Sequence, residues 1–139
     1  MTLQEKEQEI IDEFAIYSDW MEKYEYIIEL GKDLPLIDEK YKQPENVIKG
    51  CQSTVWLHAY RQGDEVVFTA DADAIITKGL VALLIRALSH EKPDVILNAD
   101  LRFIKEIGLQ EHLSPTRSNG LLAMVKQMKL DALALKMKK

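Results

Sequence analysis

Apolar residues recur at helical spacing in the first part of the chain. Between residues 2 and 17 they fall on one stripe, with acidic residues on the opposite side. Thr2 followed three residues later by Glu5 matches a capping box, which marks the start of a helix. A second stripe runs from Trp20 to about Gly31. The pattern therefore predicts two consecutive amphipathic helices.

The spacing changes to that of β-strands after this helical region. Residues 54–60 and 65–70 are rich in β-branched and aromatic residues, and Gln62-Gly63-Asp64 between them is typical of a turn. These segments predict an antiparallel hairpin. Because an isolated hairpin is only marginally stable, residues 46–48 are expected to add a third strand.

Helical patterns return after the hairpin. Residues 74 to about 90 are apolar nearly all round, so this helix should lie at the buried centre and cover one face of the sheet, with Asp71 or Asp73 as its cap. Short helices are expected at 93–97 and 101–107. The last helix repeats apolar residues at Leu121, Val125, Met128, Ala132 and Leu135.

The order of these elements predicts the fold class. Two helices, a small sheet and then further helices form an α+β arrangement rather than an alternating parallel one. With 139 residues, of which 47% are hydrophobic, the chain can bury a core without disulfides or metals. We expect one domain, residues 1–139, in which a small antiparallel three-stranded sheet packs against helices.

Charge and composition exclude several classes of protein. The net charge of -5 argues against a nucleic-acid partner, which requires clustered Lys and Arg. No apolar run approaches the roughly 20 residues of a membrane helix, and the polar, acidic amino terminus resembles neither a secretory nor a transit signal. One cysteine and three scattered histidines predict neither a zinc nor an iron–sulfur site. We expect a cytoplasmic protein without a membrane or metal partner.

The single cysteine, Cys51, is the candidate for chemistry. Free cysteines are usually buried as small hydrophobic residues. Cys51, however, is out of phase with every apolar stripe and stands among Lys49, Gly50, Gln52 and Ser53, which are polar or loop-forming. Glycine at 50 permits a sharp turn with positive φ. A neighbouring lysine ammonium and unpaired N–H groups would favour the nucleophilic thiolate.

Four ordered motifs along the chain resemble the SufE family, which includes the closely related CsdE proteins. The motifs are WMEKYEYIIELG at 20–31, GCQSTVW at 50–56, DADAIITKGL at 71–80 and LSPTRSNGL at 113–121. The second motif is similar to the family signature around its sulfur-accepting cysteine. The family fold resembles that of IscU-type scaffolds, but this chain lacks the several cysteines with which a scaffold holds a cluster.

The resemblance implies a role in iron–sulfur cluster assembly. A pyridoxal-phosphate-dependent cysteine desulfurase, SufS- or CsdA-like, would hold sulfur as a persulfide and pass it to Cys51. This protein would stimulate the desulfurase and hand the sulfur to a SufB-like scaffold. It would be an accessory protein rather than an enzyme, and it would need no cofactor of its own because the pyridoxal phosphate stays on the partner.

The resemblance also suggests supporting residues near Cys51. These are Gly50, Gln52, Asp73 and Arg117. Arg117 lies in the first turn of the last helix, where the helix dipole disfavours cations, so a role as a partner of an anion or thiolate is favoured over a solvated charge. Asp73 fits a helix cap best, although the family suggests that its region holds the cysteine loop and meets the desulfurase.

A persulfide in open water is exposed to reduction and oxidation. We therefore expect Cys51 to be sheltered in the free protein by nearby apolar residues, with Trp56 and Val55 as candidates. Gly50 would then let the loop evert to deliver the sulfur.

Other functions remain open at the level of sequence. Cys51 could be a hydrolase nucleophile, which would require a neighbouring histidine such as His112. A peroxide-reducing thiol protein is a weaker alternative because the chain has no resolving cysteine. The protein could also be a CsdE-like acceptor for a different desulfurase, or a module that binds a desulfurase without accepting sulfur.

Overall fold

The structure is a computed structural model that describes residues 1–138; Lys139 lies outside the described residues. Helices and strands follow one another in the predicted α+β order. Their bounds are α1 Leu3–Ala15, α2 Trp20–Gly31, β1 Val55–Gln62, β2 Glu65–Ala72, α3 Ile75–Leu88, α4 Pro93–Leu97, α5 Arg102–Glu106, α6 Leu109–His112 and α7 Pro115–Met137. Two short 3-10 helices, Glu39–Tyr41 and Pro44–Asn46, precede the sheet.

Side-chain caps define where the first two helices begin. The hydroxyl of Thr2 accepts a hydrogen bond from the Glu5 backbone N–H, and the Glu5 carboxylate accepts one from the Thr2 N–H. At α2 the carboxylate of Asp19 accepts from the Glu22 N–H at 2.9 Å. These bonds satisfy N–H groups that lack partners at a helix start. The two predicted helices and the capping box are confirmed.

The two strands form the predicted hairpin, in a register that runs from Val55 opposite Ala72 to Gln62 opposite Glu65. Each strand is longer than the sequence pattern indicated. One face of the sheet, which includes Leu57 and Phe68, is buried in the core. The opposite face carries more exposed side chains because the residues alternate between the faces of a strand.

The prediction of a three-stranded sheet is not confirmed, since the described residues contain a two-stranded sheet. Of residues 46–48, Val47 makes an isolated bridge to Trp56, and Ile48 donates one hydrogen bond to the carbonyl of Val55. The segments before and after residues 46–48 explain why no third strand forms. A 3-10 helix ends at Asn46, and the chain turns at Gly50, so too few residues stay extended to form a strand.

Helix α3 is the buried centre of the fold, as its apolar pattern predicted. It packs against β2 on one side and crosses α2 on the other. The crossing is close: a Cβ atom added to Gly79 would lie 2.0 Å from the carbonyl oxygen of Ile27, and one added to Gly31 would lie 2.9 Å from the Gly79 nitrogen. Only glycine lets the two backbones approach to this distance.

The prediction that Asp71 or Asp73 caps α3 is wrong. The cap position is Ala74, which makes no side-chain cap hydrogen bond. Asp71 instead pairs with Lys42 at 2.6 Å and with Lys78 at 3.3 Å. The carboxylate of Asp73 accepts a hydrogen bond from the N–H of Thr54, directly before β1, instead of capping the helix.

The remaining helices close the fold around α3. The short helices α4 and α5 match the predicted segments, whereas α6 was not expected from the sequence. Gly108, with a φ of 79°, separates α5 from α6. The long helix α7 runs back along α4, α3 and β1, and its buried residues join the same core cluster as those of α1, α3 and the sheet.

Candidate functional site

Cys51 lies in a loop whose two ends are fixed to the hairpin. On the entry side, the N–H of Ile48 donates to the carbonyl of Val55 at 2.9 Å. On the exit side, Asp73 holds Thr54 through two bonds: its carboxylate accepts from the Thr54 N–H at 3.0 Å, and its own N–H donates to the Thr54 carbonyl at 3.1 Å. Asp73 therefore anchors the cysteine loop rather than α3.

Within the loop, the chain between these anchors is almost free of hydrogen bonds. Ser53 contacts the hydroxyl of Thr77 on α3 at 3.1 Å. Among residues 1–138, the one hydrogen bond made by residues 49–52 comes from the Cys51 sulfur. This short segment is therefore the least constrained part of the site.

Glycine at position 50 is required by the loop geometry. Its φ of 93° lies in the left-handed region, which side chains with a Cβ atom rarely adopt. A Cβ atom there would also lie 3.2 Å from the Cβ of Ala123 on α7. The positive φ predicted for Gly50 is confirmed.

The Cys51 side chain is half-buried and points at α7. Its Sγ lies 3.5 Å from the carbonyl oxygen of Gly120, to which a thiol can donate a weak hydrogen bond. A Cβ atom on Gly120 would lie 3.7 Å from Sγ, an ordinary van der Waals distance, so Cys51 lies close against the backbone of α7. The loop is thus sheltered against the first turns of α7.

This environment stabilises the thiol rather than the thiolate. Burial raises the pKa of Cys51 above its usual value because a charged sulfur loses contact with water. The sequence suggested the opposite, that Lys49 and unpaired N–H groups would favour the thiolate. That expectation is wrong in this conformation, since Lys49 is exposed and the sulfur faces a carbonyl oxygen instead of N–H donors.

The shelter of Cys51 also differs from the one expected. Neither Trp56 nor Val55 lines the pocket at the sulfur. Val55 is fully buried in the core, and the ring of Trp56 lies beneath the Lys42 ammonium, which is 5.1 Å from the ring centroid. Helix α7 covers Cys51 in their place.

A pocket of about 460 Å³ opens beside the sulfur. It brings together Cys51 with three of the four supporting residues predicted from the sequence, namely Gln52, Asp73 and Arg117, while Gly50 shapes the loop next to it. Hydroxyl groups and apolar side chains complete the wall. They come from Ser53, Thr77, Leu80, Ser114, Thr116 and Met124.

The start of α7 positions Arg117 at the mouth of this pocket. Ser114 caps the helix by accepting a hydrogen bond from the Arg117 N–H at 3.3 Å, and Pro115 occupies the first helical position. The Arg117 side chain is exposed, and within residues 1–138 its guanidinium has no acidic partner. A positive charge is thus available at the pocket that the sulfur also lines.

The histidines lie outside this pocket. His112 stacks on Trp20, with ring centroids 4.1 Å apart, and its Nδ1 lies 3.0 Å from the carbonyl oxygen of Gly108. His58 stacks on Tyr41 with centroids 3.7 Å apart. In the part of the chain that the structure describes, no histidine lines the pocket, so the base that a cysteine hydrolase requires is missing from it.

Two residues of the site were missed by sequence reasoning. Gly120 supplies the carbonyl that faces the sulfur, and Thr77 supplies the hydroxyl that contacts Ser53. The one available signal for Thr77 was a polar residue on the buried face of an otherwise apolar helix.

Two absences within residues 1–138 bear on the class of site. They contain no group of three or more His, Cys, Asp or Glu side chains that could hold a metal ion. None of the helices in this range is both long and apolar enough to cross a membrane.

Comparisons with known proteins give a consistent result. The family model SufE, described as an Fe-S metabolism associated domain, matches residues 8–132. An uncharacterised SufE-like protein of Rhizobium etli is 42% identical over 129 residues, which cover 89% of this chain and 87% of that protein. A second one, from Rhizobium meliloti, is 40% identical and covers 89% of this chain and 92% of that protein.

A plant relative extends beyond the matched region. SufE-like protein 1 of Arabidopsis thaliana, a chloroplastic and mitochondrial protein, is 42% identical over 134 residues, and this chain spans 36% of its length. Among solved structures, a hypothetical protein from Thermus thermophilus has the same fold, with a TM-score of 0.80 over 96% of this chain and 97% of that one. At 20% sequence identity, this likeness concerns the fold alone.

Proposed function

The chain belongs to the SufE family, and from this premise we propose that it accepts and carries sulfur for iron–sulfur cluster assembly. Cys51 receives a sulfur atom as a persulfide from a pyridoxal-phosphate-dependent cysteine desulfurase and passes it to a SufB-like scaffold. The observation that carries the proposal is the loop around Cys51: the thiol is held by one weak hydrogen bond between two fixed anchors, and its pocket is also lined by Arg117, which has no acidic partner among residues 1–138.

The proposed transfer is a relative of thiol–disulfide exchange. The Cys51 thiolate attacks the outer sulfur of the persulfide on the donor cysteine, and a new S–S bond forms at Sγ. The S–S bond of the donor breaks, and the donor cysteine leaves as a thiolate. No net oxidation takes place, because one persulfide replaces another.

The resting geometry requires the loop to move before this attack. The Cys51 sulfur faces the Gly120 carbonyl, whose partial negative charge opposes a thiolate, and burial disfavours the charge further. When residues 49–52 swing away from α7, the sulfur reaches water and its pKa falls towards the ordinary value. The thiol is thus inert while sheltered and nucleophilic once everted.

Charged and polar groups at the pocket mouth assist this cycle. The free guanidinium of Arg117 stabilises the thiolate or persulfide anion during transfer. Asp73 ties the exit side of the loop, at Thr54, to the end of β2 and presents its exposed carboxylate to the partner. Gln52, which is also exposed, contributes to the same contact surface.

The proposal also divides the chemistry between the two proteins. Pyridoxal phosphate stays on the desulfurase, and this protein, as a cytoplasmic accessory protein without a cofactor of its own, stimulates that enzyme by removing its product sulfur. A CsdE-like acceptor would use the same pocket with a different desulfurase. A binding module that accepts no sulfur would bind the desulfurase equally well after Cys51 is replaced.

Mass spectrometry provides the test. The protein is incubated with a cysteine desulfurase and L-cysteine, and we expect the peptide that contains Cys51 to gain the mass of one sulfur atom, which dithiothreitol then removes. Cys51→Ser should abolish the gain and the stimulation of the desulfurase while binding is retained. An unchanged mass with desulfurases of both the SufS and CsdA types would contradict the proposal, and stimulation that survives Cys51→Ser would support the binding module.

A further inference from the structure

Thr77 is one of few polar residues that are buried among residues 1–138. It is 5% exposed and belongs to α3, whose other buried residues are apolar or glycine. Its hydroxyl lies 3.1 Å from the hydroxyl of Ser53, and no other side-chain partner is found for it among residues 1–138. A buried hydroxyl loses free energy without a partner, so this contact is favoured as long as Ser53 stays in place.

Ser53 stands at the boundary of the segment that must move. It follows directly on residues 49–52, and Thr54 after it is fixed to Asp73 by two hydrogen bonds. The Ser53–Thr77 contact therefore lies between the free part of the loop and its permanent anchor. When it breaks, the free segment lengthens by one residue on the side nearest to Cys51.

We propose that the Thr77 hydroxyl is a positioning group that holds Cys51 in its sheltered position through Ser53, so that the Ser53–Thr77 contact sets the fraction of molecules in which the sulfur is accessible. The effect on sulfur delivery rests on the proposed function, whereas the effect on accessibility does not.

The other hydrogen bonds of the loop cannot take over this task. The bond from Cys51 to the Gly120 carbonyl is weak, and it disappears when the sulfur loses its proton, because a thiolate has no hydrogen to donate. The bonds between Asp73 and Thr54 lie beyond the moving segment and remain when it opens. The Ser53–Thr77 contact is independent of the ionisation of Cys51, and it restrains the loop in both states of the sulfur.

The size of the effect follows from one neutral hydrogen bond. Loss of such a bond changes an equilibrium by about two- to tenfold. The population of the accessible loop, and with it the rate at which a bulky thiol reagent modifies Cys51, should rise by that factor. The protein should otherwise keep its structure, since the hydroxyl can be removed without a change in side-chain shape.

The experiment measures the rate of Cys51 modification by a bulky maleimide in the isolated protein, without a desulfurase. Thr77→Val keeps the shape and removes the hydroxyl, whereas Thr77→Ser keeps the hydroxyl and removes a methyl group. Ser53→Ala removes the partner at the loop, and the double variant S53A/T77V tests whether the two groups act together. Thr69→Val on β2, a half-buried threonine outside the pocket, is the matched control.

We expect Thr77→Val and Ser53→Ala each to raise the rate about two- to tenfold, and the double variant to match the larger single effect because both changes remove one contact. Thr77→Ser and the control should keep the slow rate. The increase should persist at alkaline pH, where Cys51 is ionised. Since Ser53 is part of the loop, its variant tests the proposal even if Thr77→Val fails to fold.

Unchanged rates in Ser53→Ala, or independent effects that multiply in the double variant, would overturn the proposal. So would a rate increase in Thr77→Ser as large as in Thr77→Val, because packing rather than the hydroxyl would then be responsible. Failure of the proposed function gives a different result: the maleimide rates would change as expected, but Cys51 would gain no sulfur from any desulfurase.

Discussion

Helices α2 and α3 cross at Gly31 and Gly79, whereas α7 meets the cysteine loop at Gly120. At the crossing, a methyl group on Gly79 would lie 2.0 Å from the carbonyl oxygen of Ile27, which is backbone and cannot yield. At the loop, a methyl group on Gly120 would lie 3.7 Å from the Cys51 sulfur, an ordinary van der Waals distance. The first position therefore has no space for a side chain, whereas the second would place a methyl group in ordinary contact with its neighbour.

The two regions also differ in their hydrogen bonds. The backbone N–H and C=O groups of α2 and α3 are paired within each helix. Because buried side chains of both helices belong to the core, neither helix can shift without moving it. Residues 49–52 of the loop rely on one sulfur contact. Local opening takes little free energy where contacts are few and approaches the global unfolding free energy in the core. The fold thus combines a rigid centre with a short segment that is able to move, and the following changes test this difference.

Gly79→Ala should produce the largest effect. The methyl group would overlap the Ile27 carbonyl, and relief requires that α2 and α3 separate along their crossing. We expect a loss of about 3 kcal/mol or more in the free energy of unfolding, measured by urea denaturation. A loss below about 1 kcal/mol would mean that the crossing is more compliant than its geometry indicates.

Gly50→Ala should have an intermediate effect. The left-handed φ of 93° strains an alanine, and its methyl group would approach the Ala123 side chain at 3.2 Å. We expect a loss of about 1–2 kcal/mol, part of which the loop relieves by opening.

The two effects of Gly50→Ala can be separated by two measurements. Maleimide modification of Cys51 should become faster, whereas the urea unfolding midpoint should fall less than in Gly79→Ala. If the midpoint falls as far as it does in Gly79→Ala while modification stays slow, the loop does not open more easily than the core. The proposed difference between the two regions would then be wrong.

Gly120→Ala should change the free energy of unfolding only slightly, and in the direction of higher stability. Alanine favours a helix over glycine by up to about 1 kcal/mol, and the site has room for the methyl group. We expect unchanged or slightly higher stability in the same urea experiment. A loss comparable to that of Gly79→Ala would show that α7 and the loop are packed as closely as the crossing.

The smallest effect should come from the ionisation of Cys51. Burial raises its pKa in the folded protein, so the unfolded chain loses the thiol proton at a lower pH than the folded one. Stability should therefore fall as the pH rises through the ordinary thiol value of about 8.5. Between pH 7 and 10, the free energy of unfolding measured in urea should decline more steeply for the native protein than for Cys51→Ala. Parallel declines would indicate a sulfur already open to water.

Long regular segments were predictable from the sequence because each carries its own signal. The apolar stripes of α1 and α2, the alternation in the hairpin and the all-apolar surface of α3 result from burial within one element, and the structure has each of them. The third strand was overpredicted because the 3-10 helix ending at Asn46 and the turn at Gly50 leave little extended chain between them.

The errors at the site share one physical cause, which is competition from a partner distant in the sequence. Asp73 could cap α3, but the N–H of Thr54 takes its carboxylate instead. Lys49 could favour a Cys51 thiolate, but the packing of α7 buries the sulfur and places the Gly120 carbonyl against it. Neighbouring residues alone do not reveal which of these interactions prevails.

The pocket itself was partly predictable. Cys51 stood out because no apolar pattern explains it, and the motif resemblance indicated Gln52, Asp73 and Arg117, all of which line one pocket with it. Thr77 carried no comparable signal, since a single threonine is common in helices and its partner is 24 residues away.

The anchor at Thr54 limits how far the sulfur of Cys51 can move from the body of the protein. Cys51 is three residues from that anchor, and a fully extended stretch of this length spans about 11 Å. While the Ser53–Thr77 contact holds, the tether is two residues long and spans about 7 Å. For the proposed transfer, a donor sulfur at the bottom of a deeper cleft would be out of reach, so the exchange would take place close to the surface where the two proteins touch.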